Sequence, residues 1–109
     1  MRCAAIICVL VACRDAPPDA PCAISANRFF IIVRDDLARS TVDDATRRAV
    51  TERLPALRDE LYRACTDDAW SASVRNCIAN APDHIAIERC ESELTETQRR
   101  GLDRAARGE

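Results

Sequence analysis

The sequence predicts an all-α fold, a small disulfide-stapled bundle of three to five short helices over residues 22–109. Apolar residues recur every three or four positions through residues 41–65, which is the spacing of one helical face. Helix-capping residues precede three further segments, at Ser71, Asp83 and Thr95. Cysteines are spread through the same region, as is typical of small stapled domains.

The longest predicted helix covers residues 41–65. Ser40 or Thr41 is suited to cap its start, because a short hydroxyl side chain accepts a hydrogen bond from the first free N–H groups. Pro55 interrupts the pattern and has no backbone N–H, so we expect the helix to be kinked or split near Leu54. The apolar positions of its inner face are Val42, Ala45, Ala49, Val50, Leu54, Leu57, Leu61 and Ala64.

Two short helices are predicted next. Ser71 is placed to cap a helix that runs to about Ala81, where Pro82 ends it. Asp83 is placed to cap another helix that runs to about Glu91. The turn at Pro82 joins these two helices into a hairpin.

A last helix is predicted from the spacing of Thr95 and Gln98, which is that of a capping box. We expect Leu102 and Ala106 on its inner face, because residues four positions apart lie on the same side of a helix. Gly101 weakens this helix by about 1 kcal/mol relative to alanine.

The run Phe-Phe-Ile-Ile-Val at residues 29–33 has the composition of a strand. A buried helix segment has the same pattern. Because the sequence has no second strand signal to pair with this run, we favour a helix or irregular core structure.

Residues 1–13 have the layout of a secretory signal, with a cationic start, an apolar run and a small residue before Cys13. The ending Leu-Val-Ala-Cys at residues 10–13 resembles the lipobox of bacterial lipoproteins. That resemblance implies that residues 1–12 are a removed signal peptide, and that Cys13 becomes an N-terminus carrying acyl chains such as palmitate. Residues 14–21 hold three prolines and are expected to form an extended tether to the domain that Cys22 opens.

Two alternatives stay open for this segment, a plain secretory signal and an ordinary core segment. The part before Cys13 is shorter than the ~15–30 residues that are usual for signal peptides. Its apolar run is also too short to span a bilayer as a helix, which takes ~20 residues.

The chain has seven cysteines. If Cys3 and Cys8 leave with the signal and Cys13 carries lipid, the remaining even number predicts two disulfides in an exported chain. The remaining residues are Cys22, Cys65, Cys77 and Cys90.

A second resemblance spans residues 57–102. The motif Cys-Thr-Asp-Asp-Ala-Trp-Ser at residues 65–71 precedes two spaced cysteines and a Leu-Thr-x-x-Gln element at residues 94–98. As a set, these motifs resemble small exported helical lipoproteins of myxobacterial type, a group without an established activity. The resemblance implies architecture and location only.

Four cysteines allow three disulfide pairings. We favour Cys77–Cys90 with Cys22–Cys65, because Cys77 and Cys90 fall on the two helices of the predicted hairpin. The other two pairings stay open.

The composition argues against several classes of function. The net charge is −2, and no basic stripe is present, so we expect no nucleic-acid partner. The sequence has no Cys-x-x-Cys pair, which argues against a zinc site and a redox motif. His84 is the only histidine, and we expect it to be exposed or locally hydrogen-bonded rather than catalytic. We infer no cofactor, metal or small-molecule substrate.

Trp70 has two interpretations. It fills the gap between the long helix and the helical hairpin, or it is an exposed anchor for a protein partner, since tryptophan is enriched at binding hot spots.

Together these features predict a lipid-anchored cell-envelope protein with a non-enzymatic interaction or structural role and an unknown envelope partner. Lipoprotein sorting rules favour the outer membrane, facing the periplasm or the surface, because Arg14 and not an aspartate follows Cys13. One alternative is a small exported enzyme or redox component that uses a free cysteine. Another is a periplasmic inhibitor or chaperone-like binder with an exposed apolar patch around residues 29–33 or Trp70.

Overall fold

The computed structural model describes residues 20–109, so the predicted signal peptide, Cys13 and residues 14–19 of the tether lie outside the described residues. The described residues form helices and no strand, which confirms the predicted all-α, disulfide-stapled bundle. Its five helices are α1 (Cys22–Arg39), α2 (Asp44–Asp67), α3 (Ala72–Ala79), α4 (His84–Glu91) and α5 (Glu96–Arg107).

The run at residues 29–33 lies in the middle of α1 and is therefore helical. Ile32 is buried, and Phe29 and Val33 are partly buried. These three positions are three and four residues apart, which places them on one side of the helix. Packing of that side against the rest of the bundle overrides the strand-like composition of the run.

The long helix α2 begins at Asp44, so the predictions that Ser40 or Thr41 caps it and that Val42 lies on its inner face are wrong. Asp43 is the N-cap, and its carboxylate accepts a hydrogen bond of 2.6 Å from the backbone N–H of Thr46. A carboxylate also carries the negative charge that a helix N-terminus favours, which a hydroxyl lacks. Hydrogen bonding from the Thr46 side chain, together with this backbone bond, holds the pKa of Asp43 below its ordinary value.

Pro55 lies inside α2 without splitting it, so the predicted split near Leu54 is wrong. Proline removes one intrahelical hydrogen bond. Leu54 and Leu61 are both buried, however, and packing of an apolar face contributes more to a helix than one backbone bond does.

The predicted N-caps of the three shorter helices are confirmed. Ser71 Oγ accepts a hydrogen bond of 3.2 Å from the N–H of Val74, and Asp83 Oδ1 accepts one of 2.9 Å from the N–H of Ala86. Thr95 forms both bonds of the predicted capping box. These ends are set by interactions within four residues, which is why the sequence alone located them.

The inner face of α5 contains Leu102 and Ala105, whereas Ala106 is exposed, which corrects the prediction for Ala106. A Cβ atom at Gly101 would lie 2.3 Å from Oδ2 of Asp68, so a larger residue at this position of α5 would require the Asp68 side chain to shift. Because Gly101 faces α2, the residue four positions later faces it as well, and that residue is Ala105.

The main core lies at the end of the molecule that carries the disulfides. It contains Ala26, Leu61, Cys65, Trp70, Val74, Ile78, Cys90, Leu94 and Leu102. A smaller cluster between α1 and α4 contains Ile32, Ala81 and Ile87.

The turn between α1 and α2 is different in character. We call residues 37–50 the hairpin tip; none of its residues is buried. The guanidinium of Arg47 donates hydrogen bonds to the carbonyl of Leu37, to that of Ser40 at 3.1 Å and to that of Val42 at 3.3 Å. Polar contacts therefore close the tip where apolar burial does not.

Candidate functional site

The structure confirms the favoured pairing of the four described cysteines. Cys22, the first residue of α1, is bonded to Cys65 near the end of α2, with 5.8 Å between the Cα atoms. Cys77 on α3 is bonded to Cys90 on α4, with 5.6 Å between the Cα atoms. Since Cys65 and Cys90 are each 1% exposed, both bridges extend into the core.

The disulfides determine what the cysteines of this region can do chemically. Within residues 20–109, no cysteine has a free thiol, and no cluster of histidine, cysteine and acidic side chains is arranged to hold a metal ion. The thiolate is the form that attacks substrates and binds metals. Cysteine chemistry in this part of the chain would therefore require reduction of a bridge.

Trp70 belongs to the core and is 6% exposed. Its backbone N–H donates a hydrogen bond of 3.1 Å to the carbonyl of Cys65, across a turn in which Ala69 has a φ of 49°. Of the two interpretations, the core-filling one is correct, and the interpretation of Trp70 as an exposed partner anchor is wrong. The sequence could not separate them, because tertiary packing alone covers the indole ring.

The run at residues 29–33 also fails to form an exposed apolar patch. Ile32 is buried, and its four neighbours in the run are partly buried. The guanidinium of Arg58 lies 5.2 Å from the centre of the Phe30 ring and covers one of its faces. The inhibitor or chaperone-like hypothesis depended on exposure of this run or of Trp70, and neither is exposed.

His84 opens α4 and contacts α1. Its Nδ1 lies 3.1 Å from Oδ2 of Asp36, and the two side chains are 59% and 38% exposed. This geometry agrees with the prediction of an exposed, locally hydrogen-bonded histidine. Within residues 20–109, no hydroxyl or thiol group hydrogen-bonds to His84, so the pair joins α4 to α1 and does not form a nucleophile–base–acid triad.

Glu91 is a partly buried acidic residue beside the core. Burial raises the pKa of its carboxyl group above the ordinary value, and repulsion from Glu88 and Asp103 raises it further. The side chain lines a partly open recess of about 10 Å³ next to Trp70, which is about the size of one water molecule. That space is too small for a substrate.

Two open grooves lie on the described surface. The larger, of about 360 Å³, runs between α2 and α5, and its rim carries four acidic and two basic side chains. The charged rim residues are Glu60, Arg63, Asp67, Asp68, Arg104 and Glu109. The smaller groove, of about 190 Å³, is lined by Arg53 and by the apolar residues Val33, Val50, Leu54, Leu57 and Ala106.

The backbone of Ala20 is held by a clamp that no sequence motif indicates. Its N–H donates a hydrogen bond of 2.6 Å to Oδ1 of Asn76, and its carbonyl accepts one of 3.1 Å from the guanidinium of Arg75. Ser25 adds a bond of 2.8 Å from its Oγ to the carbonyl of Arg75. We call these contacts the Ala20 clamp; Ala20 lies in the predicted tether, yet it is only 8% exposed.

No local pattern points to this clamp, because Arg75 and Asn76 are 55 and 56 residues away from Ala20 along the chain. The clamp determines the point at which the preceding chain leaves the domain. It lies next to the Cys22–Cys65 bridge. One covalent bond and two hydrogen bonds therefore fix the start of the domain, at Ala20 and Cys22, to the rest of the bundle.

The chain matches no protein-family model, no curated protein and no solved structure. Within residues 20–109, no helix is both long and apolar enough to cross a membrane. The described features that bear on function are the paired cysteines and the Ala20 clamp.

Proposed function

We propose that this protein is a lipid-anchored protein of the cell envelope, attached through acyl chains on Cys13, with a non-enzymatic binding or structural role. The outer membrane holds the anchor, and the helical domain faces the periplasm or the surface. Its partner is another envelope protein.

The observation that carries this proposal is the complete pairing of the described cysteines. All four cysteines between residues 20 and 109 are in disulfides, which persist in oxidising compartments outside the cytosol. The other three, Cys3, Cys8 and Cys13, lie in the segment that resembles a signal and its lipobox. Processing at Cys13 would leave a domain with no unpaired cysteine except the one that carries lipid.

The burial of the disulfides supports a structural role for the cysteines over a catalytic one. The alternative of an exported enzyme or redox component requires a reactive, accessible thiol. One cysteine of each bridge, Cys65 or Cys90, is only 1% exposed and is therefore shielded from reagents in solution. The Cys22–Cys65 bridge closes a loop of 43 residues, and a bridge of that span constrains the unfolded chain strongly.

The test is the intact mass of the full chain produced in a bacterium with two membranes and purified without reductant. We expect the wild type in the membrane fraction, with a mass that starts at Cys13, includes acyl chains and lacks four hydrogens. Cys13→Ser should lose the acyl mass and the membrane location. Cys8→Ser is the matched control, because it changes a cysteine in the same apolar run, and it should keep both.

Two outcomes would contradict the proposal. A processed but unacylated protein in the periplasm would show a plain secretory signal and no anchor. An unprocessed, reduced chain in the cytosol would mean that residues 1–13 are not a signal, and the thiols and His84 would again be candidates for chemistry.

A further inference from the structure

Two segments that pack together are almost free of charge. Residues 20–27 have no charged side chain, and residues 71–80 have only Arg75, although charged residues make up 31% of the chain. The Ala20 clamp joins the two segments directly. We call their exposed surface the N-terminal face; it includes Pro21, Ala23, Ile24, Asn27, Ser71 and Asn80.

Two arginines at this face donate hydrogen bonds to backbone carbonyls. The guanidinium of Arg75 binds the carbonyl of Ala20 at 3.1 Å, and that of Arg28 binds the carbonyl of Ala81 at 2.7 Å. Glu93, at the border, accepts a bond of 3.2 Å from Ser73. Ile24, by contrast, is 47% exposed and is one of the large apolar side chains left open to solvent.

The Ala20 clamp fixes, at this face, the point where residues 13–19 join the domain. Seven peptide units separate Cys13 from Ala20, so even a fully extended chain reaches only ~25 Å. The 18 residues of α1 make a helix of about 27 Å that leads away from Ala20 to the hairpin tip. A membrane that anchors Cys13 therefore lies within ~25 Å of Ala20 and of the N-terminal face, which is about the length of α1.

We propose that the N-terminal face rests on the phospholipid surface and that the hairpin tip points away from it. The proposal depends on the proposed lipid attachment at Cys13. Bringing charged groups against a bilayer costs hydration free energy, and a face with few charged side chains costs least. The net charge of −2 also disfavours contact of the acidic surfaces with anionic headgroups, whereas Ile24 gains by apolar burial.

The experiment places one tryptophan in the first turn of α1 and another in the turn that follows α1, each in the full chain. Ile24→Trp and Val42→Trp are matched, because the native residues are 47% and 39% exposed and lie at the N-terminal face and at the hairpin tip. Each protein, purified from membranes, is reconstituted into phosphatidylethanolamine–phosphatidylglycerol vesicles that contain brominated phospholipid. Trp70 is buried in every variant, and the wild type gives its constant background.

We expect the fluorescence added by Ile24→Trp to fall at least twofold with brominated lipid, and that added by Val42→Trp to remain unchanged. Equal quenching at the two positions, or stronger quenching of Val42→Trp, would overturn the proposal. Protection of Ile24→Trp from aqueous acrylamide without quenching by lipid would also overturn it, because a protein surface would then cover the face.

The mass of each reconstituted sample separates this inference from the proposed function. Acylated protein without the expected quenching pattern refutes the orientation alone and leaves the anchor intact. Protein without acyl chains refutes the anchor, and with it the orientation that depends on it.

Discussion

The two ends of α1 are held by different forces. At the stapled end, Cys22 is bonded to Cys65, and Ala26 lies in the main core cluster with Leu61. At the hairpin tip, no residue is buried, and the hydrogen bonds of Arg47 close the turn. One continuous helix thus joins a covalently fixed, apolar end to a polar one.

This difference indicates where the free energy of folding is concentrated. Buried apolar contacts and covalent cross-links contribute several kcal/mol each, whereas an exposed hydrogen bond contributes about 1 kcal/mol. Regions with few buried contacts open locally before the rest of a domain unfolds. We therefore expect the hairpin tip to open independently of the stapled end.

The largest expected effect comes from removal of a disulfide. Replacing both Cys22 and Cys65 by alanine should lower the free energy of unfolding by about 4 kcal/mol, because that bridge closes a loop of 43 residues. Replacing Cys77 and Cys90 should cost about 3 kcal/mol, because the loop spans 13 residues. Urea unfolding without reductant measures both, and a larger loss for the Cys77–Cys90 pair would contradict the loop argument.

The next prediction compares apolar truncations at the two ends. Leu61→Ala should cost about 3 kcal/mol, because this side chain is only 4% exposed in the main core. Val42→Ala should change stability by no more than about 0.5 kcal/mol, because Val42 is 39% exposed at the tip. If thermal unfolding gave similar losses for both, the contrast between the two ends would be wrong.

A smaller effect is expected at the cap of α3. Ser71→Ala should destabilise the fold by about 1 kcal/mol, because the N–H of Val74 loses its hydrogen-bond acceptor. Ser73→Ala is the control, since its Oγ makes only a surface bond to Glu93. Chemical unfolding should place Ser73→Ala near the wild type; equal losses for both variants would count against a capping contribution.

The smallest effect concerns pH at the stapled end. The pKa of Glu91 is raised above its ordinary value of 4.5, so its stabilising contribution is complete below that pH and is lost as pH rises through the raised value. Glu91→Gln should therefore be more stable than the wild type at neutral pH, by about 0.5 kcal/mol. The difference should disappear below about pH 4 in thermal unfolding measured across pH.

Asp43 at the hairpin tip provides the opposite sign. Hydrogen bonds from Thr46 lower the pKa of Asp43 below its ordinary value of 3.8, so its contribution is present above that pH and is lost as pH falls through the lowered value. Asp43→Asn should weaken the start of α2 at neutral pH and match the wild type in acid. A pH dependence of the same sign for both variants would refute this assignment.

Sequence patterns predicted those features that depend on neighbours along the chain. The caps at Ser71, Asp83 and Thr95 were located correctly because each involves a side chain and an N–H three residues later. The predicted start of α2 was wrong because serine, threonine and aspartate are all good N-cap residues. Ser40, Thr41 and Asp43 were therefore all possible caps, and in the structure Asp43 is the N-cap.

The candidate site was predictable only in part. The pairing of Cys77 with Cys90 followed from their places on a helical hairpin, and pairing the remaining two cysteines then completed the set. The burial of Trp70 and the clamp on Ala20 had no signal in the sequence, because both depend on residues brought together from distant parts of the chain.

By itself, the sequence determined the all-α class and the starts of the three short helices, since the periodicity of apolar residues and the capping side chains act over one helical turn. Tertiary structure alone decided that α2 continues through Pro55, that Gly101 packs against Asp68, and that Ala20 is bound to α3. The physical reason is that these three outcomes depend on contacts between helices, and such contacts form only when distant segments pack together.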